Sequence, residues 1–104
     1  MANPMYGQNK DDSSLNRFTD VLTGSATWDP SSISDGDEQA VGITVAGAEL
    51  GDFVMASISV DIQDMVLDAQ VTAADTVTCV LANNTGSAVD LGSSTASVLV
   101  VKAV

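Results

Sequence analysis

A chain of 104 residues has room for one domain with its own core, and a hydrophobic fraction of 45% excludes a wholly disordered polymer. Three basic residues face fourteen acidic ones for a net charge of -11, and none of the three lies from Phe18 to Val101, so phosphate backbones and anionic membrane surfaces are excluded as direct partners. No histidine is present, which removes the commonest general base and metal ligand and every Ser-His-Asp or Cys-His arrangement, so no enzyme activity is expected.

In chain order, residues 1–24 read as an N-terminal arm punctuated by Pro4, Gly7, Ser13, Ser14 and Gly24. Its start has neither a cationic cluster nor an apolar run, so no signal peptide is expected and synthesis is placed in a cytoplasm. Within the arm, Ser14 can cap a short helix with Leu15, Phe18, Val21 and Leu22 on one face. Such a helix is marginal alone, because nucleation is costly, and a partner surface would order it. The stripe is therefore a candidate docking element; local packing of a terminus is the plainer alternative.

Residues 25–104 read as strands and turns. Ala26 to Asp29 is a short strand closed by Pro30-Ser31-Ser32, and Ser34 to Asp37 turns the chain into a run from Gln39 to Ala46. There Val41, Ile43 and Val45 share one side. From Asp52 to Val60 the inward set is Val54, Ala56, Ile58 and Val60, with Met55, Ser57 and Ser59 outward. Asp61 to Asp64 has the length of a hairpin connection. Met65, Leu67, Ala69 and Val71 alternate next, Thr72 to Asp75 turns, and Val77, Cys79 and Leu81 follow. Asn83-Asn84-Thr85-Gly86 is a strong turn, and the last strand runs from Thr95 to Val101. There Ala96, Val98 and Val100 face one way, while Leu99 and Val101 need cover on the other, which hints at burial between copies; an ordinary central strand has the same pattern. The fold class expected is all-β: a small antiparallel β-sandwich, jelly-roll or Ig-like, with an N-terminal extended arm and an aliphatic core, since aromatics make up only 4% of the chain.

Few residues carry chemistry. Cys79 is the single cysteine, has no cation near it in sequence, and reads as a buried thiol. Asp35-Gly36-Asp37-Glu38 is the one cluster of hard oxygen ligands to weigh for calcium, but its spacing is not that of an EF-hand, so no metal or cofactor is expected. Asn83-Asn84-Thr85 matches a glycosylation sequon, and a turn is the reading preferred. Trp28 is expected to anchor the core.

The stretch from Ala26 to the C-terminus, roughly three quarters of the chain, resembles a recurring β-module of phage and prophage virions, the likeness being carried by Thr27-Trp28-Asp29-Pro30, Val45 to Val54, Ser57 to Gln63, Ala69 to Thr78 and Asn83 to Leu91 in that order. The order of turns is more specific than any one piece. The resemblance implies a capsid decoration (cement) protein or a fibre-associated domain, assembling as a homotrimer on the major capsid protein and located at the capsid surface of the virion. It carries no catalytic residues.

The expectation is therefore a structural virion protein bridging neighbouring capsid subunits. Candidate docking or oligomer contacts are Leu15, Phe18, Val21, Leu22, Leu99 and Val101. A fibre or host-recognition domain is the alternative, although it calls for an aromatic-lined groove. An acidic inhibitor mimicking nucleic acid is a third reading.

Overall fold

The computed structural model describes residues 20–103. Six strands occur in it: β1 (Val21–Trp28), β2 (Glu38–Thr44), β3 (Phe53–Ile58), β4 (Val66–Ala73), β5 (Thr76–Ala82) and β6 (Ser94–Val101). They form two antiparallel three-stranded sheets, ordered β1-β6-β3 and β2-β5-β4. Each strand alternates buried or half-buried with more exposed positions, as expected of sheets with one face on a core.

Strand order decides between the two sandwich types. β1 pairs with β6, β2 with β5, and β3 leads to β4 across the gap between the sheets. This is a long hairpin rolled on itself, the winding of a jelly roll, here with six strands. The expected β-sandwich is thus present, in its jelly-roll form.

The central strands supply the heart of the core: Val77, Cys79 and Leu81 from β5, and Ala96, Val98 and Val100 from β6, all at most 3% exposed. Ile43, Val45, Met65 and Val71 extend it, and Trp28 anchors it from the end of β1. The core is aliphatic as expected, and truncating a residue such as Leu81 to alanine would cost about 2–5 kcal/mol.

Two sets of connections close the ends. At one, Ile33 and Val89 exchange backbone hydrogen bonds of 2.8 and 3.0 Å, joining the β1–β2 connection to the β5–β6 connection. At the other, the turn between β4 and β5 docks on the chain leaving β2: Asp75 O accepts from Val45 N, Asp75 N donates to Ala48 O, and Asp75 Oδ1 accepts from Gly47 N at 2.8 Å. Asp75 has a φ of 61°, a conformation aspartate tolerates better than most residues.

Three expectations need correction. Val21 and Leu22 do not share a helical face: they are consecutive residues of β1 and point to opposite sides of a sheet, and the remainder of that stripe, Leu15 and Phe18, lies outside the described residues. Pairing with β6 extends the strand back to Val21, so Val21 to Gly24 belong to the sandwich and not to the arm. Asp61 to Asp64 is no hairpin connection, because β3 and β4 belong to different sheets; Ile62 O accepts from Met65 N at 3.1 Å as the chain crosses between them, with positive φ at Gln63 and Asp64.

Candidate functional site

The registers arrange the outer face of β1-β6-β3 in rows. Val21, Val101 and Phe53 form the first, and Thr23, Leu99 and Met55 the second. Ser25, Ser97 and Ser57 form the third, and Thr27 pairs with Thr95 in the fourth. Beyond β3, Ser59 continues that last row: its Oγ accepts from Thr95 N at 2.8 Å. The face grades from aliphatic and aromatic side chains at one end to hydroxyls at the other, and none of these positions carries a charge. Phe53 is 69% exposed, Met55 68% and Val21 39%, against half-buried Leu99 and Val101 between them on the central strand. An open trough of about 540 Å³ runs along Thr23, Ser25, Met55, Ser57, Ser97 and Leu99.

Carboxylates lie elsewhere. The outer face of β2-β5-β4 carries Glu38 and Asp68, and most of the others sit in turns. At the apolar end of the uncharged face, Asp20 beside Val21 is exposed, while Lys102 gathers two of the carboxylates that border it. Its Nζ donates to Asp52 Oδ2 at 2.7 Å, Glu49 Oε1 at 2.9 Å and Gly47 O at 2.7 Å. The hydrogen bond from Lys102, followed by that from Ala103 N, pulls Asp52 down from its ordinary 3.8 to about 2. Asp52, and secondarily Glu49, raises Lys102 in return.

Of the residues singled out from sequence, the structure brings Val21, Leu99 and Val101 together in the first two rows. Leu22 turns inward and packs against the core. Leu15 and Phe18 lie outside the described residues. Phe53 and Met55 were not among the expected contacts, although the inward set Val54, Ala56 and Ile58 already placed them outward by alternation.

The other motifs have structural uses. Asp35 Oδ1 accepts from Gly86 N at 3.0 Å, and Asp37 Oδ1 from Glu38 N at 2.9 Å. Among the described residues no group of three or more His, Cys, Asp or Glu side chains is placed to hold a metal ion. Asn83 of the sequon is fully buried, and its side-chain nitrogen is committed to two carbonyls in the folded chain. Cys79 is buried as well, and desolvation raises its thiol above the ordinary range, which suppresses the thiolate. No family model matches this chain, nor does any curated protein or solved structure.

Proposed function

We propose that this chain is a structural virion protein that decorates a phage capsid. It binds the outer shell as a homotrimer, bridges neighbouring major capsid proteins, and stabilises the assembled shell because a ligand specific to one state shifts the equilibrium toward it. The observation that carries the reading is the partition of charge on a small sandwich: one outer sheet face without a charged side chain, on a chain of net charge -11. Such a module has a face to bury and an acidic remainder to leave in water. The order of turns that resembles virion modules supports the same reading. β1 starts at the apolar end of that face, so the arm of residues 1–19, with Leu15 and Phe18, is joined to the surface most in need of cover.

Quantitative mass spectrometry of purified particles tests this. A copy number comparable with that of the major capsid protein is expected; a handful of copies would move the chain to a fibre, and absence from the particle would end the virion reading. The arm is tested in the full-length chain by Leu15→Glu together with Phe18→Glu, which should abolish binding to bare shells while leaving the melting curve unchanged. Point substitutions are preferred to a deletion of residues 1–23, which would cut into β1 and take Leu22 from the core.

A further inference from the structure

We propose that the apolar end of the β1-β6-β3 face is a self-association surface, covered by the same residues of a second copy of this chain. Phe53 and Met55 are each more than two-thirds exposed, and with Val21 they bracket Leu99 and Val101 in two adjacent rows. Together they expose roughly 400 Å² of apolar surface, a size at which a patch on a monomer is often functional.

Charge selects the occupant. A basic partner gains nothing from this face, which offers it no carboxylate, and is drawn to the acidic turns instead. An acidic or strongly hydrated partner loses its solvation here with no compensating group. The fitting partner is uncharged, apolar at one end and hydroxyl-bearing at the other, and a second copy presents that surface. The Ser25-Ser97-Ser57 row suits this pairing, since each hydroxyl both donates and accepts. Two copies meeting elsewhere would oppose carboxylates, for instance Glu38 and Asp68 on the other sheet. At the apolar end, Lys102 offsets one of the two charges of Glu49 and Asp52, so the border that two copies would bring together, exposed Asp20 included, is only partly neutralised.

The patch is smaller than the roughly 800 Å² per partner of a standard interface, so association is weak and concentration-dependent. Its salt dependence has a definite sign. The acidic remainders of two copies repel across the contact, and salt screens that repulsion, so self-association tightens as ionic strength rises. Docking on a basic surface would weaken under the same change. The inference stands on the face alone and does not rest on the capsid reading, so monomers in solution and absence from particles would be separate failures.

Sedimentation of the full-length chain, at concentrations up to about 1 mM in low and high salt, tests it. Expected is a closed oligomer whose share of the chains rises with concentration and with salt. Met55→Glu should weaken association by about tenfold or more, because a charge would be buried at the contact. Met55→Leu should retain it, as should Gln70→Glu, which adds the same charge to the exposed opposite face. Met55 is exposed, so circular dichroism and melting should show all three variants folded. A monomer under every condition would overturn the proposal and leave the arm or the shell as the occupant. Equal weakening by Met55→Glu and Gln70→Glu, or association that weakens with salt, would overturn it too.

Discussion

Asn83 is fully buried and its side chain uses every hydrogen-bonding position it has. Nδ2 donates to Ile33 O at 2.7 Å and Ser87 O at 2.9 Å, while Oδ1 accepts from Thr85 N at 2.9 Å and Thr85 Oγ1 at 2.8 Å. Two carbonyls on one side and two donors on the other fix the amide's orientation. Asn83→Ala strands those groups, and chemical denaturation should show a loss of about 1–3 kcal/mol. Asn83→Asp should cost more, because a carboxylate oxygen would face the two carbonyls. A change near zero in both would show that water replaces the hub. Asn83 was legible as the start of a turn but not as a hub, since its partner Ile33 lies 50 residues away. Lys102 makes a second residue-scale prediction. Asp52 is lowered on folding, so its share of stability is present above 3.8 and is lost as pH falls toward about 2. Lys102 is raised, so its share persists through neutral pH and is lost only in strong alkali. Urea midpoints of Lys102→Met should therefore lie below those of the parent across neutral pH and converge on them in acid; a gap independent of pH would assign the effect to packing.

Among the elements, β1 shows where local pattern stops being informative. Leu15, Phe18, Val21 and Leu22 satisfy a helical spacing, yet Leu22, Gly24 and Ala26 also alternate as one side of a strand. What separates the two readings is the ladder to β6, a partner from the far end of the chain that no local window contains. Later strands were readable because their inward sets, such as Val77, Cys79 and Leu81, follow a strict period of two. The crossing at Asp61 to Asp64 was not, because loop length does not say which sheet receives the next strand. Gly24 records how closely β1 approaches the end of β2: a Cβ there would lie 2.7 Å from Val45 Cγ2 and 3.1 Å from Thr44 O. Gly24→Ala should accordingly destabilise by about 1–3 kcal/mol, although alanine lowers the entropy of the unfolded chain. Gly42→Ala in β2, with nothing within 4 Å, should stabilise by about 0.4–1 kcal/mol. Urea denaturation of the pair checks both signs; stabilisation by both would mean that crowding at Gly24 is absorbed by movement of β1, and destabilisation by both that Gly42 is not free to accept a side chain.

For the whole molecule, composition announced an acidic body but not where the acid would be missing. The uncharged face becomes visible only once β1, β6 and β3 are set side by side, because its rows join residues from both ends and the middle of the described chain. The rolled order also governs when that face comes into being. A jelly roll wins its outermost pairing last in loop-closure terms, since β1 must wait for β6, and folds dominated by such distant pairings form slowly. Of the described strands β6 comes last in the chain, and it is the central partner that β1 and β3 share. A nascent or truncated chain lacking β6 cannot display the paired rows. The uncharged face is thereby presented only by molecules in which β6 has closed the fold.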